Sequence, residues 1–134
     1  DMVMRLCAAA RRGVKVRIVV AQKSNNAQAT AALKHHYAEL TRAGAELWEL
    51  PGTVVHAKVV VADDLVSFGT VNLDAWALYR NSEIMMIAHS REAAALLNER
   101  LFEPDIARSK RGEPPSGRRD RLQSWLCDKL TYYL

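Results

Sequence analysis

Apolar and polar positions along this chain follow two periods, and the switches between them mark out its elements. Residues 2–12 place Val3, Leu6, Cys7 and Ala10 on one helical face, and Gly13 stands where a helix can stop. "VKVRIVV" at 14–20 alternates and then turns fully apolar, which predicts a strand, with "AQKSNN" as the loop at its carboxyl end. A helix is predicted over 28–43, with Ala32, Leu33, Tyr37 and Leu40 facing inward and Gly44 ending it. "AELWEL" reads as a short strand, and Pro51-Gly52 as a turn.

The valine-rich stretch over 54–62 predicts a central strand buried on both faces. Asp63-Asp64 turn the chain into a short return strand over 66–69. "VNLDAWALYRN" predicts a helical turn or two, and "SEIMMIA" another strand. Residues 91–108 form a helix with Ala94, Leu97, Leu101 and Phe102 on one side. Asp120 then caps a last helix that presents Leu122, Trp125, Leu126, Leu130 and Tyr133 as a stripe. Such a stripe packs against the protein or a sister domain, or it lies at a membrane interface, where Trp and Tyr are enriched. Strands alternating with helices specify an α/β fold, a mixed β-sheet flanked by helices on both faces. The expected organisation is a body over 1–108, a basic Pro/Gly linker over 109–119 and a C-terminal amphipathic helix over 120–134.

Composition narrows the class. At 134 residues the chain holds at most one domain with a real core. No apolar run approaches the roughly 20 residues that span a bilayer, and "DMVMRLCAAARRG" is amphipathic rather than a signal peptide. The start at Asp1-Met2 points to a chain cut from a longer protein. Cys7 and Cys127 can form at most one bridge and make no metal pattern, so two thiols in a reducing compartment are expected. The formal charge of +4 is local: residues 108–121, "RSKRGEPPSGRRDR", hold six basic and two acidic side chains, and the rest holds thirteen of each. That segment is either a solvated charge run or a surface for phospholipid head groups or nucleic acid. A cytoplasmic protein with peripheral membrane association is the expectation.

Candidate chemistry sits in "VVHAKVVVADDLVSFGTVN" at 54–72. On a strand His56 and Lys58 point to one face, about 6.6 Å apart along the backbone. A long ammonium beside an imidazole suits a phosphate: lysine holds the anionic oxygens while histidine attacks phosphorus or moves a proton. Thr70 and Asn72 can donate to the same oxygens, and Gly69 lets the backbone approach the ligand. Glu83, opening the next strand, can orient the imidazole.

The form H-x-K-x4-D, followed by "GTVN" and "NSE", resembles the signature of the phospholipase D superfamily (the HKD motif). "AAARRGVKVRIVV", "YAELTRAGAELWEL", "VVHAKVVVADD", "GTVNLD" and "NSEIMMI" are similar in order and spacing to the second half of bacterial cardiolipin synthase-type enzymes. The resemblance covers about residues 2–111. It implies a phospholipase D-like half in which His56 is one of two catalytic histidines. Lys58 and Asn72 would bind phosphate oxygens, Thr70 would support that cradle, and Glu83 would orient His56. Asp63, the motif aspartate, would support structure more than chemistry. No metal or other cofactor is implied. Between Asp63 and Gly69 the chain is one residue shorter than the family pattern, the shortfall falling in "DDLVSF".

The chemistry so implied needs two H-x-K units, and the chain has one. His35-His36 and His89 lack a lysine two residues on. The second unit would come from a missing N-terminal region or from a homodimer mate. The first is favoured, because "NLDAWALYRNSE" resembles the lipid synthases. His56 would then act as general acid and base, the nucleophile being assigned to the first motif. The leading expectation is a phosphatidyltransferase acting on phospholipid through a phosphohistidine. The alternatives are a phospholipase D hydrolase, a single-motif endonuclease dimer and a non-catalytic domain, with nucleic acid the less favoured partner. Trp76, Leu78 and Tyr79 could line an apolar entrance for acyl chains or simply anchor the loop.

Overall fold

In the computed structural model, residues 2–23, 26–53, 55–72 and 81–131 are described. They form two units, one from the chain up to residue 54 together with residues from 109 on, the other Val55–Arg108.

The first unit begins with α1 (Met2–Arg11), ended by Gly13 at φ 90°. Strand β1 (Arg17–Ala21) pairs in parallel with β2 (Glu46–Leu50), Ile18 opposite Leu47, through a helical crossover. The predicted single helix over 28–43 is two, α2 (Ala27–His35) and α3 (Tyr37–Ala43). The break falls at His36, whose φ of −82° and ψ of −8° leave helical geometry. Its ring spans Glu39 at 2.6 Å and Asp128 at 2.9 Å, so a contact 92 residues distant in sequence fixes the kink. Asn26 caps α2 by accepting from the Ala29 N–H at 3.0 Å, and Gly44 ends α3 at φ 99°. The core joins Cys7 of α1, Tyr37, Leu40 and Ala43 of α3, Ala45 and Leu47.

Within the stretch expected as a linker, a two-residue strand, β6 (Lys110–Arg111), joins the first sheet and pairs antiparallel with β2. Arg111 stacks on the Trp48 ring at 5.0 Å and reaches Glu46 at 3.7 Å. Two of the basic residues therefore belong to the sheet. The last helix, α6 (Arg118–Thr131), starts two residues before the expected Asp120 and packs on α2. It buries Ser124 and leaves Leu122, Trp125, Leu126 and Leu130 outward. Tyr132 and Tyr133 lie outside the described residues.

The second unit is a β-meander, β3 (Val59–Ala62), β4 (Leu65–Gly69) and β5 (Met85–His89), antiparallel throughout. The strand expected over 54–62 begins only at Val59 and lies at the edge of this sheet, partly exposed rather than central and doubly buried. Asp63 and Asp64 make a two-residue hairpin turn, Asp63 at φ 55°, a conformation that aspartate tolerates. Asp64 also accepts the Ser90 N–H at 2.7 Å through its carbonyl and pairs with Arg91 at 3.3 Å. Val61, Val66 and Ala88 share one face, with α4 (Arg91–Leu97) packed on β3 and β4, and Val66 and Ala94 are buried. Ser90 caps α4 by accepting from the Ala93 N–H at 3.1 Å.

The predicted helix over 91–108 continues through one wide π turn, Asn98–Phe102, into α5 (Glu103–Arg108). Pro104 follows that turn at once; its ring excludes a normal α-helical carbonyl four residues back, which the wider turn accommodates. The helical turn expected after Gly69, with Trp76, Leu78 and Tyr79, lies outside the described residues.

Candidate functional site

All six singled-out residues, His56, Lys58, Asp63, Thr70, Asn72 and Glu83, fall within Val55–Arg108. Five of them gather toward one end of the hairpin sheet by a chain of backbone contacts. His56 and Lys58 precede β3, and the Lys58 carbonyl accepts the Gly69 N–H at 3.2 Å, one step beyond the β3–β4 ladder. The same step delivers Thr70 to the next segment. Its N–H donates to the Ile84 carbonyl at 2.9 Å, and its hydroxyl accepts the Ile84 N–H at 3.0 Å. Ile84 is the neighbour of Glu83, so segments 56–58, 69–72 and 83–84 are brought together where the sheet begins.

Gly69 is required there by close approach. A Cβ at that position would overlap the Ile84 carbonyl and press on Met85. Asp63 occupies the opposite end of the hairpin, in the turn.

The side chains are arranged as follows. Lys58 folds back so that its ammonium donates to the His56 carbonyl at 2.8 Å, which leaves two of its three donors for an anion. His56 and Asn72 are exposed, and among the described residues neither side chain makes a hydrogen bond. The Glu83 carboxylate accepts from the Asn81 amide at 3.3 Å; no bond between Glu83 and the His56 ring is formed among the described residues. Among the described residues no group of three His, Cys, Asp or Glu side chains could hold a metal ion.

Two polar clusters in the first unit were not singled out from the sequence. Glu49 is buried, accepts the Tyr37 hydroxyl at 3.1 Å and pairs with Lys34 at 3.2 Å. Burial, and then the Glu49 charge, push the Tyr37 phenol well above its ordinary range. The signal for it was present: Ala45, Leu47 and Glu49 alternate onto one face of β2, which sets a carboxylate among apolar neighbours. The second cluster is His36, whose two ring nitrogens lie against Glu39 at 2.6 Å and Asp128 at 2.9 Å. Burial alone would raise the Asp128 carboxyl, but its bonds to Lys129 and His36 outweigh that and hold it below its ordinary value of 3.8. No spacing rule links His36 to Asp128.

The mixed α/β architecture, two small sheets flanked by helices, is that of a phospholipase D-like domain. The fold matches a crystal structure of a phospholipase D family member, Nuc from Salmonella typhimurium, with a TM-score of 0.71 and 25% identity over 84% of this chain and 74% of that one. The chain belongs to the family described as cardiolipin synthase, PLD-like domain, whose model matches residues 1–105. It is 31% identical to cardiolipin synthase A of Edwardsiella ictaluri over 99% of its length, and 35% identical to cardiolipin synthase A of Yersinia pseudotuberculosis serotype O:1b over 65%. It spans 27% and 18% of the lengths of those two relatives.

Proposed function

We propose that the chain is the second H-x-K half of a phosphatidyltransferase of cardiolipin synthase type. The observation that carries this reading is the 31% identity to a cardiolipin synthase A along 99% of the chain. In the proposed reaction a histidine of the other half attacks phosphorus of a glycerophospholipid phosphodiester. The P–O bond to the departing alcohol breaks, and His56, as imidazolium, gives that oxygen its proton. Neutral His56 then takes the proton of an acceptor alcohol, whose oxygen displaces the phosphohistidine and forms the new phosphodiester. Lys58 and Asn72 hold the non-bridging oxygens, Thr70 keeps the cradle in register, and Glu83 turns onto the His56 ring when substrate orders it. If water replaces the alcohol, the same steps give hydrolysis.

The reading includes a partner that supplies the other H-x-K, from an N-terminal region, and peripheral association with a phospholipid surface. Among the described residues no helix is long and apolar enough to cross a membrane. A second reading, two copies of this chain completing one site, is favoured by the likeness to Nuc, which matches over most of both chains. That reading extends to a nuclease whose binding to a short duplex would fall steeply with salt.

Phosphatidylglycerol vesicles supplied to the chain joined to a first H-x-K half test the proposal, with lipid products separated by chromatography. His56→Ala is expected to lower turnover by roughly 10²–10⁴-fold with an unchanged melting curve. Turnover surviving that substitution would sink every enzymatic reading. Light scattering on the chain alone is expected to show a monomer; a stable, active dimer would replace the two-half reading with the two-copy one.

A further inference from the structure

Helix α6 packs with its polar side inward. Ser124 is 4% exposed, and Asp128 is held by His36 of the α2–α3 kink. On the opposite side stand Leu122 at 58% exposure, Trp125 and Leu126 at 44% each, and Leu130 at 51%. At 100° per residue, Arg118 and Arg119 fall among these apolar side chains; Lys129 does too, but its ammonium is held by Asp128 at 3.1 Å. Asp120 and Asp128, the two acids of the helix, fall away from the leucines by angle, Asp120 exposed at the first turn and Asp128 partly buried on the packed side. The outward face is therefore apolar and basic with no acid in it, over a helix about 21 Å long. Ordinary surface helices have the reverse arrangement.

We infer that this face of α6 docks the chain onto an anionic phospholipid surface. Charge decides between occupants. The chain outside residues 108–121 is balanced, whereas that segment carries +4; Arg108 and Arg111 are paired with Asp105 and Glu46, and Arg118 and Arg119 bring its charge onto the exposed face. Arg118 and Arg119 can run their alkyl stems along the leucines and hold their charged ends at the head groups, while Trp125 sits at the interface. Leu122 and Leu126 enter the acyl boundary, as on an in-plane amphipathic helix. The inference rests on the phospholipid reading only for the identity of the surface, and it adds the element that makes the contact.

Co-sedimentation of the full chain with vesicles tests it. The chain is expected to bind vesicles of phosphatidylglycerol and phosphatidylcholine at moderate salt, and to bind pure phosphatidylcholine vesicles far less. Leu126→Glu is expected to weaken binding to the mixed vesicles by roughly tenfold or more, since it puts a charge where an exposed leucine would enter the acyl boundary. Arg118→Glu with Arg119→Glu is expected to weaken it further at low salt than at high salt. Met4→Glu, at an exposed apolar position of α1, serves as the control and leaves binding unchanged. Circular dichroism melts verify that each variant folds. Equal binding of Leu126→Glu and the parent chain, or equal binding to both vesicle types, would overturn the inference. So would concentration-dependent self-association that Leu126→Glu abolishes, since the face would then meet a second copy. Sedimentation needs no turnover, and turnover on a water-soluble phosphodiester needs no surface, so the docking face and the catalytic reading fail separately.

Discussion

The two units differ in how far they enclose their own apolar residues. The first surrounds Leu47, at 0% exposure, with Tyr37, Leu40 and Cys7, and even takes a buried Glu49 by pairing it twice. The second has Val66 and Ala94 as its buried apolar residues among those described. Its sheet leaves Val60, Leu65, Met85 and Ile87 outward on the face away from Val66. Every residue singled out for chemistry lies in this second unit. Packing and chemistry are thus divided: one unit spends its residues on a core, and the other on holding three backbone segments at the end of a small sheet.

Core truncation would break that contrast most severely. Leu47→Ala is expected to cost about 2–5 kcal/mol, and Val66→Ala roughly 1–3 kcal/mol, by thermal melts followed with circular dichroism. Comparable losses at both positions would mean that the two units are equally well packed. A sharper test aims at the converging segments. Gly69→Ala sets a methyl group against the Ile84 carbonyl and is expected to cost about 1–3 kcal/mol. It should also lower turnover beyond what the altered melt accounts for, because Thr70 must leave Ile84; a variant with normal turnover would show that this anchor does not matter.

The smallest effect belongs to the first unit. Asp128 has a lowered folded pKa, so its contribution to stability is present above the ordinary value of 3.8 and disappears as pH falls through the lower folded value. Asp128→Asn is expected to cost about 1 kcal/mol near neutrality, since a partly buried pair that water still reaches contributes little. The difference between the two proteins should begin to narrow below about pH 4 and close once pH falls below the lowered folded value. A gap that stays constant with pH would assign the effect to packing of α6 on α2 and not to charge.

Much of the framework was legible because it is local. The 3.6-residue face of α1, the valines and turn aspartates of the β3–β4 hairpin and the glycine after α3 each specify their element through near neighbours. What was not legible depends on distant partners. The helix over 28–43 breaks because Asp128 reaches His36, and Lys110–Arg111 become a strand because Trp48 and Glu46 receive Arg111. Periodicity could find the stripe on α6 but not which side of the helix would meet α2. At the site, residue types were readable and register was not: that Lys58 meets Gly69 and Thr70 meets Ile84 follows from strand pairing. The start of β3 was set too early, since a run of valines does not show where pairing begins.

The β3–β4 hairpin also bears on how length variation should be read in such domains. Its turn lies at one end, while the Lys58–Gly69 bond lies at the other, with four paired positions between them. A residue lost from the turn shortens the loop and leaves those pairings in step. A residue lost within the ladder would exchange the two faces of β4 and carry every side chain beyond it to the wrong side. Of the five residues between Asp63 and Gly69, Asp64 belongs to the turn and Leu65 to Phe68 to the ladder, so where a missing residue falls, and not the gap count itself, decides whether the residues on either side still meet.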